Sequence, residues 1–525
     1  MAKTLTRNGR PTIQLQNKGA FMHPRLQSKA QMSELLDQHP KFDDTFVSLQ
    51  CGPRLARGMV DETREVVAIA RKFNAEVVKP QALAMDRAMH KNPEYLAWDF
   101  VKTANDWGFY TLWIPKAFGG HGYNMASLGY FMEEIASECL AMANLVGVHY
   151  LGVGTLSATY NARLMNKLFR DVASGEKIGQ PRLISLAITE PGAGTDVEEV
   201  DLVDKANVSC HARRVDGGYV VNGSKIFISN GHLSAWHMLV AYADLARPSQ
   251  TTLMMAVPTG AKGFTFGKIE KKMGQKACPA SELVFDNCFV PDENIALEFD
   301  KESGLSRSVR DTCMQIIHYV VSTSRAGVGA FGTGAARGAY SKALDFASKT
   351  KVNNRLLINH EWAQCLLAEM YKNVMLARLS YAETNYANSL CGSFKDLFEP
   401  PFFYANRHLP KGVFDRIAGP FLDKPAATAF LRKRALEGQQ DCEMHRTSGW
   451  ASLSKITATD LGIKNCHLAL ELMGRAGLRH ENGAEKILRD AKLLQIYEGT
   501  NQLNRLNLFQ CLIAGVCADA CVFDE

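Results

Sequence analysis

Residues 217–231 read GGYVVNGSKIFISNG, a run of β-branched and aromatic residues bracketed by glycines. Alternation of polar and apolar side chains over its second half predicts a strand with Phe227 and Ser229 on one face. Its neighbours have the same character. LISLAITE (183–190), AWHMLVAYAD (235–244), TTLMMAVPT (251–259) and SELVFDNCFVP (281–291) are short β-type runs separated by Gly, Asn and Pro. Outward in both directions the period changes to that of helices. DETREVVAIARKFNAEVVKPQ (61–81) has apolar residues at i, i+3, i+4 spacing, an acidic first turn and Pro80 to end it. The runs at 92–109 and 124–154 continue the pattern, with the Gly-rich turn IPKAFGGHGYN (114–124) between them, and helical spacing returns from Ser303 almost to the end. Helices, then strands, then helices imply a mainly α protein with a β insert. The expected division is an N-terminal extension (1–58), an N-terminal α-helical domain (59–181), a middle β-domain (182–300) and a C-terminal helical bundle (301–525). Prolines between about 389 and 452 mark an insertion of short helices and loops in the last of these.

The chain has 525 residues, of which 46% are hydrophobic and 22% charged, the balance of a soluble globular protein. A formal charge of +6 is mild for this length and does not argue for a nucleic-acid binder, which needs basic residues clustered on one face. It is compatible with anionic small molecules such as phosphates and CoA esters. Thirteen cysteines are scattered without CxxC spacing, which argues against zinc and iron–sulfur sites and for a reducing compartment. No run reads as long and apolar enough to span a membrane. The first residues are basic, with no acid before Glu34, but glycine and proline interrupt any amphipathic helix, so a surface arm is expected rather than a transit peptide. The expected location is cytoplasmic, with the mitochondrial matrix as the alternative.

Two stretches carry candidate chemistry. AITEPGAGTD (187–196) packs Pro191, Gly192 and Gly194 into a loop after a strand, which gathers backbone N–H groups for an anion or the polar edge of a ring. It contains neither GxGxxG nor GK[ST], so it is no dinucleotide fingerprint or Walker loop. LLQIYEGTNQL (493–503) sets one carboxylate, Glu498, in an otherwise uncharged run. Two readings of Glu498 stand side by side: a solvated acid at a helix end stopped by Gly499, or a catalytic base in a dry pocket, where burial raises proton affinity.

The order of motifs adds to this. EPGAG near residue 192, NGSKIFISNG near 225, KMGQ followed by ELVFDN and VP near 280, SRAGVGAFGTGAARGAYSKALDFA near 335 and RDAKLLQIYEGTNQL near 497 together resemble the acyl-CoA dehydrogenase family over roughly residues 60–515. The resemblance implies that family's α–β–α fold, non-covalent FAD, and an acyl-CoA thioester on the re face of the flavin. By similarity, Leu186, Ile188 and Thr189 approach the isoalloxazine edge, Phe227 lies against the ring, and Ser229 meets N5. Thr195 and Arg325 match positions near the pantetheine arm and CoA, with Thr195 also close to the cofactor; Arg325 is expected to open the long helix. Ser324, Tyr497 and Gly499 are expected on the substrate side, Gly499 leaving room for it. Thr500 and Gln502 match flavin contacts, and Glu498 matches the base. The implied reaction removes the α-proton to Glu498 and passes hydride from Cβ to flavin N5, giving a trans-2-enoyl-CoA, with electrons passing to an electron-transfer flavoprotein. Fatty-acid β-oxidation is the implied setting. Some relatives carry the base where Ser324 stands, with no acid nearby on that helix here, which favours Glu498. Nitroalkane-oxidising relatives carry Asp in the YEGT motif.

The chain departs from the family where relatives contact the flavin of a neighbouring subunit. In ASKTKVNNRLLINHEW (347–362), Thr350 stands where an arginine of ERxxFG is expected and Asn353 replaces a phenylalanine, leaving Lys349, Lys351 or Arg355 to supply the charge. In ELMGRAG (471–477), Glu471 replaces a glutamine and Arg475 a glycine beside Gly474, and Arg475 is a candidate for the phosphates. A homodimer or homotetramer is expected. An acyl-CoA oxidase using dioxygen and a non-dehydrogenating flavoprotein of the same fold are the alternatives. A DNA-associated flavoprotein is disfavoured because only a short tail follows YEGT. The small residues of AGVGAFGTGAARG either enlarge an acyl pocket or let helices pack closely.

Overall fold

The computed structural model describes Ser48 and residues 56–298, 307–514 and 519–523. The expectation of an N-terminal arm, and Cys517, lie outside these. The first domain is helical: α1 (Gly58–Phe73), α2 (Lys79–Lys91), α3 (Trp98–Asp106), α4 (Met125–Glu138), α5 (Leu140–Ala158) and α6 (Ala162–Lys177). Pro80 does not end a helix as the spacing predicted. It stands in the first turn of α2, directly after a π-helical turn over Asn74–Val78. The wider turn absorbs the missing N–H, so the helical path continues to Lys91.

Helix α5 corrects a second expectation. By length and composition it is apolar enough to cross a membrane, yet 83% of that window is buried inside the protein. Its sides face α4, the long C-terminal helix and β1, so a hydrophobic circumference here marks a core helix.

The middle domain holds an eight-stranded sheet. Its strands are β1 (Leu183–Ala187), β2 (His211–Val215), β3 (Gly218–Ser229), β4 (Ser234–Tyr242), β5 (Thr252–Pro258), β6 (Phe264–Ile269), β7 (Ala280–Pro291) and β8 (Ile295–Leu297). They run in the order β6-β7-β3-β2-β4-β5-β8, with β1 parallel to β4. The β3–β7 ladder shifts register between Lys225 and Ile228, where Phe227 takes φ +57°. That bulge turns the Phe227 ring out of the sheet, where it stays 55% exposed.

The last domain is built on α7 (Val309–Lys349, 41 residues), α8 (Glu361–Cys391) and α11 (Asp441–Met473), with α12 (Ala484–Lys492) and α13 (Asn501–Leu512) closing the chain's packing. The small residues of α7 are divided between both readings. A Cβ at Gly332 would collide with the backbone of Ala458 on α11, and one at Gly338 with that of Ser137 on α4, so these glycines serve close packing. Gly327 has nothing within 4 Å of its Cβ position and opens onto a cavity.

Between α8 and α11 run short helices, among them α9 (Pro400–His408) and α10 (Pro425–Arg432). This segment docks on the first domain. Lys116 Nζ donates to the carbonyl of Arg407 at 2.7 Å, Arg407 pairs with buried Glu62 at 3.0 Å, and Arg432 donates to the carbonyl of Thr159 at 3.1 Å.

Candidate active site

The stretch around Glu498 is a tight connection between two helices. A 3-10 turn covers Leu493–Gln495, Glu498 and Gly499 take φ of +56° and +72°, and Thr500 caps α13 by accepting the Leu503 N–H at 3.1 Å. A left-handed backbone is unusual for glutamate and costs about 1 kcal/mol or more. It turns the side chain inward. Glu498 lines a cavity of about 390 Å³ at the junction of the three domains.

The turn that carries the carboxylate is held from several elements. Ser324 Oγ on α7 donates to Glu498 Oε2 at 2.5 Å, and the carbonyl of Glu498 accepts Arg325 Nε at 3.2 Å. Lys455 on α11, fully buried, donates to the carbonyl of Gly499 at 2.6 Å and to Asn501 Oδ1 at 2.7 Å. Burial raises the proton affinity of Glu498, while Ser324, Arg325 and Lys455 pull it back. Burial and the neighbouring Arg325 charge bring Lys455 down to about 7. The cations that balance Glu498 are therefore absent from its own run of sequence and supplied by two other helices.

Arg325 differs from its expected position. It sits in the middle of α7 rather than opening it, is fully buried, and lies behind the base instead of on the cavity wall. Gly499 also has a different reason. A Cβ there would lie 2.9 Å from Leu503 Cδ2, 3.0 Å from Glu198 Oε2 and 3.2 Å from Arg325 Nη2. Its missing side chain makes room for these neighbours, not for a ligand in the cavity.

Leu186, Ile188, Thr189, Thr195, Phe227, Ser229, Ser324 and Tyr497 all line the cavity with Glu498. A buried anchor brings two separate motifs together. Lys225 pairs with Glu190 at 2.7 Å, both wholly buried, and donates to the carbonyl of Ile188 at 2.8 Å; the Ile226 N–H donates to the carbonyl of Thr189 at 2.9 Å. Tyr497 is set by Gln275 of KMGQ, which donates to the Asp490 carbonyl at 2.8 Å, lies 3.3 Å from the Tyr497 hydroxyl, and accepts from Asn144 at 3.0 Å.

Other expected residues stay outside the cavity wall. Thr500 spends its hydroxyl on the helix cap, and Gln502 is exposed on α13. Glu471, Gly474 and Arg475 form the exposed end of α11. Arg355 is exposed on a small hairpin, Lys351–Val352 against Arg355–Leu356, turned by Asn353 and Asn354 with φ of +50° and +62°.

Sequence reasoning passed over Glu198. It follows the AITEPGAGTD loop on the 3-10 turn Thr195–Glu198, lines the same cavity, and accepts the Gly499 N–H at 2.9 Å. Nothing in its local pattern, TDVEEVD, separates it from a solvated acidic turn. Also unforeseen were Lys455, Lys225 and Asn144, together with Phe394 of the segment between α8 and α11, which reaches the cavity wall.

A β-domain between two helical domains, with a buried carboxylate where the three meet, defines an enzyme-like fold with one shared central site. Family models for the acyl-CoA dehydrogenase N-terminal, middle and C-terminal domains match residues 60–176, 185–288, and 314–388 with 426–512. The chain belongs to the acyl-CoA dehydrogenase family. It is 25% identical over 448 residues to cyclohex-1-ene-1-carbonyl-CoA dehydrogenase of Geobacter metallireducens, covering 85% of this chain and 97% of that protein. It is also 25% identical to the mitochondrial isovaleryl-CoA dehydrogenase of Oryza sativa subsp. japonica, over 85% of this chain and 90% of that one. The fold superposes on butyryl-CoA dehydrogenase from Megasphaera elsdenii with a TM-score of 0.64 at 21% identity, covering 86% of this chain and 98% of the other.

Proposed function

We propose that the protein catalyses the FAD-dependent α,β-dehydrogenation of an acyl-CoA thioester, with Glu498 as the base. The observation that carries this reading is the Glu498 carboxylate itself, desolvated and lining a cavity that the loop after β1 and the bulge of β3 also wall. That wall fits a flavin: Leu186, Ile188 and the outward Phe227 ring offer apolar surface, and Thr189 and Ser229 offer hydroxyls at its edge. When bound there, FAD supplies the acceptor for the β-hydride.

The chain's own residues perform the proton chemistry. Glu498 takes the α-proton. Ser324 and the backbone bond from Arg325 fix where its carboxylate points. Glu198 occupies the Gly499 N–H. In this reading the developing enolate oxygen accepts the N–H of Glu498, which has no hydrogen-bond acceptor among the described residues. The remaining wall excludes water through Met125, Leu128, Met132, Val148, Phe331 and Phe394.

Among the described residues the cavity lining holds no lysine, arginine or histidine, which favours a neutral, apolar acyl group. Electrons then leave to an electron-transfer flavoprotein. Arg355, Glu471, Gly474 and Arg475, exposed away from the cavity, are placed in this reading at the flavin of a second copy in a homodimer or homotetramer, with Thr500 and Gln502 nearby. The reading extends to a cytoplasmic setting in acyl-CoA breakdown.

The test is anaerobic mixing of the FAD-loaded protein with a panel of neutral and dicarboxylic acyl-CoAs while the flavin absorption is followed. Bleaching by neutral thioesters supports the reading, and a panel that leaves the band unchanged ends it.

A further inference from the structure

Glu198 and Glu498 come from turns 300 positions apart and open onto one cavity. Their attachments interlock. Glu198 Oε1 accepts the N–H of Gly499, the residue after Glu498, at 2.9 Å. Glu198 Oε2 lies 3.5 Å from Arg325 Nη2, while Nε of the same guanidinium holds the Glu498 carbonyl at 3.2 Å. Any side chain at Gly499 would push Glu198 away.

We propose that Glu198 and Glu498 form a carboxyl pair that retains one proton at neutral pH, with Glu198 as the positioning residue that carries it and keeps Glu498 free to accept another. The identification of Glu498 as the base rests on the function proposed above; the pair itself does not.

The charge balance supports this. The groups facing the pair are Arg325 from α7, Lys455 from α11 with Asp460 further along that helix, and Glu199 and Asp201 from Glu198's own segment. Asp201 is neutralised by Arg310, and Asp460 by Arg505 at 2.8 Å. Glu199 accepts from Asn507 at 2.9 Å and lies 3.9 Å from Arg325. Three carboxyls therefore surround Arg325 and Lys455, and full ionisation leaves buried negative charge unmatched. Arg325 and Lys455 face both members of the pair, but the Glu498 carboxylate alone accepts the Ser324 hydroxyl, which favours its ionised form. Burial first, and the Glu498 charge second, raise the proton affinity of Glu198.

The experiment reads carboxyl protonation directly, without substrate. Infrared difference spectra of the FAD-loaded protein, the Glu198→Gln variant and the Glu498→Gln variant are titrated with pH. Glutamine keeps an acceptor for the Gly499 N–H, so the turn survives the first substitution. The expected result is a protonated-carboxyl band at neutral pH that is lost in Glu198→Gln. In Glu498→Gln the remaining Glu198 loses its charged neighbour, and its titration midpoint moves to lower pH by about one unit or more. Glu198→Gln spectra that match the wild type at neutral pH, or a midpoint unmoved in Glu498→Gln, overturn the pair. Because no acyl-CoA is present, either outcome is independent of whether a thioester bleaches the flavin.

Discussion

Ser324 donates its hydroxyl to Oε2 of Glu498 across 2.5 Å, from the middle of α7 to a turn 174 positions later in the chain. The bond stabilises the ionised form of a carboxyl that burial pushes toward protonation. It joins the residue proposed to move the proton to the longest helix of the fold.

Removing that donor tests the electrostatics. In Ser324→Ala the carboxylate loses a stabilising bond, so the Glu498 pKa rises further above its ordinary value. A base works above its pKa, and the pH at which anaerobic flavin reduction reaches half its maximum therefore moves to higher pH, by about one unit. Stopped-flow rates across the pH range check this; an unmoved or acid-shifted midpoint contradicts it.

Glu498→Gln removes the base while keeping the side chain's shape. Flavin content and acyl-CoA binding are expected to persist, and the reduction rate falls by about 10²–10⁴-fold or more. Near-normal reduction would move the base elsewhere in the cavity.

Gly499→Ala places a methyl group 2.9 Å from Leu503 and 3.0 Å from Glu198 in a backbone with φ +72°. The strain and the displaced neighbours should cost about 1–3 kcal/mol of stability. Thermal unfolding reads the cost. The reduction rate should fall as well, because the same turn aims Glu498. An unchanged melting temperature would show that the turn accommodates a side chain.

Gly327→Leu adds a side chain to a helical position that faces open cavity rather than a helix neighbour. Long or branched acyl-CoAs should lose about tenfold or more in kcat/KM, while the shortest chains lose little and the fold is retained. A uniform loss across chain lengths would place Gly327 away from the acyl end.

The order of helices, strands and helices was legible because amphipathic period is a local property, set by which side chains alternate along a few turns. It failed where a local signal had a non-local answer. Pro80 reads locally as a stop, but a π-helical turn upstream lets the path continue. Helix α5 escaped notice as a membrane-length apolar segment, and the buried contacts on its sides show why it is so apolar. The glycines of α7 were ambiguous in principle, since only the partner opposite each one separates a packing contact at Gly332 from open space at Gly327.

For the site, the sequence by itself supplied the motif order, and with it the family, Glu498, and the walls marked by Ile188, Thr189, Phe227 and Ser229. The tertiary structure decided what surrounds the base. Ser324, Arg325, Lys455 and Glu198 reach it from three separate elements, and Arg325 turned out to stand behind it, buried. The physical reason is that proton affinity depends on burial and on charges within a few ångströms. Those distances do not exist along a chain; they arise only when α7, α11 and the loop after β1 pack around one turn.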